Sequence, residues 1–87
     1  MPLFYLHVCN GDGFTEDEEG HELPDVAAAR HEAIQSLRSI MADEMKNGNL
    51  NMASFIEIED EGHRLLATVP FSDAVDVATR VGKRPER

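Results

Sequence analysis

Cysteine is almost absent from this chain. Cys9 is the only one among 87 residues, so no intrachain disulfide can form and a cysteine-rich zinc site is excluded. Tryptophan is missing, and only five aromatics occur: Phe4, Tyr5, Phe14, Phe55 and Phe71. The core must therefore rest on aliphatic side chains and methionine. Positive charge is scarce as well. Residues 1–79 hold four lysines and arginines against sixteen acids. Such a body repels phosphate backbones and anionic lipid, so no nucleic acid and no membrane is expected as a partner. Residues 80–87 reverse the sign, with four cations against Glu86 alone, but so short a tail does not offset the body. The apolar stretch 3–9 is too short for a signal peptide or a membrane span, and no basic segment precedes it. A cytoplasmic protein is the expectation.

What remains is globular in composition, 41% hydrophobic and 29% charged. The length suits one domain, placed at residues 1–79, with 80–87 as a basic flexible tail. A chain this small buries roughly 60–65% of its unfolded surface, so its core is modest and pairing often supplements it.

The periodicities predict the elements. Leu3–Cys9 reads as a strand with two largely apolar faces, Leu3, Tyr5, His7 and Cys9 on one and Phe4, Leu6 and Val8 on the other. The turn Asn10-Gly11-Asp12-Gly13 returns the chain into a short strand over Phe14–Asp17. An acidic connector, Glu16–Glu22, leads to Leu23-Pro24-Asp25, where Asp25 is placed to cap a helix. That helix runs from about Val26 to Asn47, free of proline and glycine. Its apolar stripe is Val26, Ala29, Ala33, Leu37, Ile40 and Met41, and Gly48 lies where a left-handed residue ends a helix. Phe55–Glu59 and Arg64–Val69 read as a hairpin closed by Asp60-Glu61-Gly62-His63. Ser72 is placed to cap a short helix over Asp73–Ala78. The order β-β-α-β-β, with a short α at the end, implies a two-layer α+β fold. A small antiparallel or mixed sheet of three to four strands packs on one long helix.

The segments Phe4-Tyr5-Leu6-His7, Asp12-Gly13, Asp17-Glu18-Glu19-Gly20-His21-Glu22-Leu23-Pro24-Asp25 and Ala28-Ala29-Arg30 resemble a family of short uncharacterised bacterial proteins. Its marks are an aromatic-x-His start, a D-x-x-G-x-E-L-P-D approach to the helix and an alanine-rich helix. Asp60-Glu61-Gly62 and Val69-Pro70-Phe71 are similar to it as well, so the resemblance spans roughly residues 3–75. Cys9-Asn10 departs from the polar or acidic residues expected there. The family is a domain of unknown function, and the resemblance implies no activity and no catalytic residue.

Chemistry-bearing motifs are few. A calcium loop beginning at Asn10 would need an oxygen ligand where Phe14 stands, glycine at Thr15 and glutamate at His21, so the register fails. Four histidines occur, yet no H-x-H or H-x-x-x-H spacing preassembles a metal site; a meeting of His7 and His63 across the sheet is left open. Cys9 and His7 share a strand face without an orienting group or oxyanion donors. Gly11 and Gly13 are ringed by acids and followed by no lysine, unlike a phosphate loop. No catalytic residue, cofactor or metal is assigned.

The helix itself carries the more telling feature. Twenty-two helical residues span about 33 Å, whereas six-residue strands span about 20 Å, so one end of the stripe overhangs the sheet. Met41, Met45, Leu50 and Met52 gather there as a candidate interface for a second copy or a protein partner; folding back as a capped core is the competing reading. The leading expectation is a small non-enzymatic interaction or regulatory module that self-associates through this end or a sheet edge. The alternative is a small-ligand or divalent-metal-binding domain using Tyr5, His7, Asp12 and Asp17.

Overall fold

The computed structural model describes residues 1–10, 13–78 and 82. In chain order its elements are β1 (Leu3–Asn10), β2 (Gly13–Thr15), β3 (His21–Glu22), α1 (Val26–Lys46), β4 (Phe55–Glu59), β5 (Leu65–Pro70) and α2 (Phe71–Ala74). All strand pairings are antiparallel, and the main sheet runs β2-β1-β4-β5 with β3 added beside β1. The fold is the expected two-layer α+β arrangement, one strand richer than anticipated.

Alternation along the strands builds the interior. Phe4 and Leu6 of β1, Ile56 and Ile58 of β4 and Val69 of β5 turn towards α1 and meet Ala29, Ala33, Leu37 and Met41. Small alanines in the first half of the helix let it lie close to the sheet; Leu37 and Met41 fill the wider end, where Phe71 and Ala74 close the core. Asp25 caps α1 as its sequence predicts, accepting the Ala28 amide at 2.8 Å. Lys46 lies in the last turn and Gly48 adopts φ +81° beyond it. Val26 is exposed, so the buried stripe begins one turn later than the apolar pattern suggests.

Three local boundaries differ from expectation. β2 ends at Thr15 rather than Asp17, because Asp17 is engaged elsewhere, and two residues of the connector form β3 against Leu3 and Phe4. α2 starts at Phe71 and stops at Ala74, where the Arg38 Nε–H donates to the Ala74 carbonyl at 2.7 Å. Ser72 thus lies inside that turn instead of capping it. β5 runs to Pro70, which stands at the end of an outer strand where its missing amide costs least. Of the expected tail, Gly82 alone is described and the rest of residues 80–87 lies outside the described residues, as does Asp12. Among the described residues no helix is long and apolar enough to cross a membrane.

Candidate functional site

β2 and β3 lie on one side of β1 and leave a gap between them. β2 covers Val8–Asn10 and β3 covers Leu3–Phe4. Leu6 falls in the gap, so its amide has no strand partner on that side. The Asp17 carboxylate fills the place: Oδ2 accepts from the Leu6 N–H at 3.1 Å and Oδ1 from the Gly20 N–H at 3.0 Å. His21 Nδ1 approaches the same carboxylate at 3.1 Å. Burial pushes the Asp17 carboxyl up, but these donors outweigh it and hold the group below its ordinary value. One aspartate thereby does the pairing that a continuous strand would do.

His7 stands beside it on the outer face of the sheet, yet it is only 4% exposed. Its Nδ1 accepts the Asp17 amide at 3.0 Å and its Nε2 meets Glu59 Oε1 at 2.8 Å. An amide can only donate, so Nδ1 bears the lone pair and the ring proton sits on Nε2. His63 Nδ1 reaches the same Glu59 oxygen at 3.2 Å. The His7 hydrogen bond pulls the Glu59 carboxyl below its usual value, burial opposes it and the His63 bond adds to the lowering. Tyr5 stacks on His63 with ring centroids 4.7 Å apart and lies parallel to His7 at 6.2 Å, and Phe14 tilts against His7 at 5.6 Å. His63 holds φ +63° in the β4–β5 turn, the left-handed region that favours glycine. Its N–H bonds to the Asp60 carbonyl, and the Asp60 side chain accepts the Gly62 and Arg64 amides.

His7, Glu59 and His63 bring three potential ligand atoms within 4.8 Å of one another, a histidine–carboxylate set of the kind that takes zinc. The tautomer of His7 argues against that use. Binding a metal through Nε2 would move the ring proton to Nδ1, where the Asp17 N–H already points. Metal-bound histidines ordinarily give their second N–H to an acceptor, the reverse of this arrangement. The cluster is better described as a relay of hydrogen bonds that pins the acidic connector and the β4–β5 turn to the same stretch of β1.

The structure therefore brings Tyr5, His7 and Asp17 together as the sequence grouped them, but around Glu59 and His63 rather than around the acidic loop. Glu59 escapes sequence reasoning, and the meeting of His7 with His63 stays open there, because the β1–β4 register, Tyr5 opposite Glu59 and His7 opposite Glu57, is not encoded locally. Cys9, on the same face, has its thiol pushed up by burial and by the Glu57 charge, the opposite of what a nucleophile needs. At the far end of α1, Met41 is 4% exposed and belongs to the core, whereas Met45 and Met52 are 64% and 58% exposed and Leu50 lies between these extremes. A groove of about 360 Å³ runs past Met41, Met45, Leu50 and Val77.

An open antiparallel sheet with one long helix across a single face and a short helix at its end defines a small α+β domain. A family model described as a domain of unknown function, DUF6894, matches residues 3–72. The chain belongs to that family. Comparison with curated proteins and with solved structures returns no match.

Proposed function

We propose that this chain is a small non-enzymatic interaction module that pairs with a second copy of itself along the β5 edge. The support is an asymmetry between the two edges of the sheet. The β1 side is blunted by two short strands, three and two residues long, and by the Asp17 carboxylate between them. β5 is six residues long and carries Leu65 at 53% exposure with Leu66 also exposed. Natural edges are normally guarded by charge, shortness or cover. The irregularity in the β4–β5 register near Glu59 guards only the start of β5, and Ala67–Val69 continue as a regular ladder.

Two such strands meeting antiparallel across a two-fold axis extend the sheet without a new fold. Leu6 faces Asp17 with its amide, so Ile58 opposite it faces β5, and Thr68 turns its own backbone outward. Thr68→Pro removes an outward donor and leaves the β4 pairing in place. Light scattering after size exclusion tests the reading: the wild type runs at twice the 9.7 kDa chain mass, and Leu65→Lys or Thr68→Pro returns a monomer. With a net charge of −9 on each copy, added salt favours the dimer. A wild type that stays monomeric up to millimolar concentration refutes the pairing.

A second reading rests on the groove beside Met45 and Leu50, which suits an apolar helix or loop from another protein. Met45→Glu separates the two, since it alters that groove and leaves the β5 edge intact.

A further inference from the structure

The outer face of the sheet, opposite α1, is tiled by rings and carboxylates. Across β1 and β4 the register sets Tyr5 beside Glu59, His7 beside Glu57 and Cys9 beside Phe55. Phe14 stands next to Cys9 on β2 at 59% exposure. Among the described residues Glu57 has no hydrogen-bond or ion-pair partner, and neither Glu57 nor Glu59 is paired with a lysine or arginine. The Glu57 carboxylate adds to the upward push that burial gives the Cys9 thiol. Two cations of the helix layer are engaged elsewhere, Arg30 with Asp73 and Arg38 with the Ala74 carbonyl.

We propose that this face docks an extended, arginine-containing segment of a partner protein, with cationic side chains at alternate positions answering Glu57 and Glu59. The spacing carries the argument. Glu57 and Glu59 are two residues apart on one strand, hence about 6.6–6.8 Å, which is the repeat of same-side residues in an extended peptide. Arginine fits better than lysine: its planar guanidinium forks onto a carboxylate and lies flat on a ring, and Phe55, two residues from Glu57 on β4, supplies a ring on the same face. A nucleic acid or a second acidic copy would bring like charge to this face. The surface is distinct from the β5 edge, so either interaction can exist without the other.

Titration of the full-length chain with the probe peptide acetyl-Arg-Thr-Arg-Thr-Arg-amide, followed by amide and side-chain NMR, tests this. Saturating shifts at Tyr5, Phe55, Glu57, Glu59 and Thr68 are expected, weakened by salt. Glu57→Gln and Glu59→Gln each lower affinity about two- to five-fold, and Glu18→Gln in the exposed connector leaves it unchanged. A control peptide with its three arginines contiguous binds more weakly. The proposal is overturned if shifts centre on Glu16–Glu19 or spread evenly over the surface. It also fails if Glu57→Gln binds as the wild type does while its own amide spectrum remains folded, or if no saturation is reached.

Discussion

Replacing Asp17 with alanine tests how much of the fold depends on one side chain standing in for a strand. The substitution removes the acceptor of two backbone amides, Leu6 and Gly20, and the partner of His21. Leu6 is buried, so its N–H is left without water as well as without Asp17. An unsatisfied buried donor costs about 1–3 kcal/mol, and the Gly20 amide, less enclosed, adds a smaller share. The expected loss for Asp17→Ala is about 2–3 kcal/mol, a large fraction of the stability of a small domain. Asp17→Asn keeps the shape and one acceptor, so its loss is about 1–2 kcal/mol. Urea denaturation followed by circular dichroism gives the difference directly, and the melting temperature of the alanine variant should fall by about 10–20 °C. Hydrogen exchange adds the location: the Leu6 amide loses protection while Ile56 and Ile58 keep theirs. The sign of the pH effect is fixed as well. The folded Asp17 carboxyl titrates below its unfolded value, so its contribution is complete above about pH 4 to 5 and disappears as pH falls through the folded value. The variant should therefore show a shallower acid limb. A loss under about 0.5 kcal/mol, the level of an ordinary surface substitution, with unchanged Leu6 exchange, would refute the view that this carboxylate replaces a strand.

Gly20→Ala should destabilise by about 1–3 kcal/mol in the same urea assay. Gly20 holds φ +77°, and an added Cβ would stand 3.0 Å from the Leu3 side chain and 3.2 Å from the Phe4 carbonyl. His63→Gly relieves the left-handed strain, worth about 1–2 kcal/mol, but forfeits the Tyr5 stack, the Glu59 bond and unfolded-state stiffness. Those losses together exceed the gain, so a small net destabilisation is expected, and a clear rise in midpoint would mean the stack contributes nothing. Met41→Glu should unfold the domain outright, since it puts a charge among core residues without a partner, while Met45→Glu should stay within about 0.5 kcal/mol of the wild type. Thermal melts of the two distinguish a buried position from an exposed one on the same helix.

The helix and the β4–β5 hairpin are legible because each is specified by neighbours in sequence. Asp25, the spacing of Ala29, Ala33, Leu37 and Met41, and Gly48 lie within one continuous segment and need no tertiary information. The same is true of Ile56 and Ile58 alternating with Glu57 and Glu59. The misplaced boundaries share a different cause. Asp17 looks like the end of a strand until Leu6 is seen to need its carboxylate, and Ser72 looks like a cap until Phe71 is seen to enter the core. Both depend on contacts between distant segments, where tertiary burial overrides local preference. Met41 is buried for a related reason: helix length against strand length predicts an overhang, but Phe71 and Ala74 of α2 join Met41 in the core.

The cluster around His7 shows what the residue types alone leave undecided. Histidine, glutamate and histidine converging on one point would suit a metal centre, and the sequence allows that meeting. What decides the chemistry is one backbone amide. The Asp17 N–H takes the Nδ1 lone pair, fixes the Nε2 proton, and turns Glu59 from a fellow ligand into an acceptor shared by two rings. The His7 hydrogen bond, with the His63 bond behind it, holds the Glu59 carboxyl below its usual value. The carboxylate stands beside Tyr5 on the outer face opposite α1, with Glu57, unpaired among the described residues, next on the same face of the strand. A relay that serves stability on its buried side thus stands beside an unpaired Glu57 on its open side, and that carboxylate is what a cationic partner would recognise.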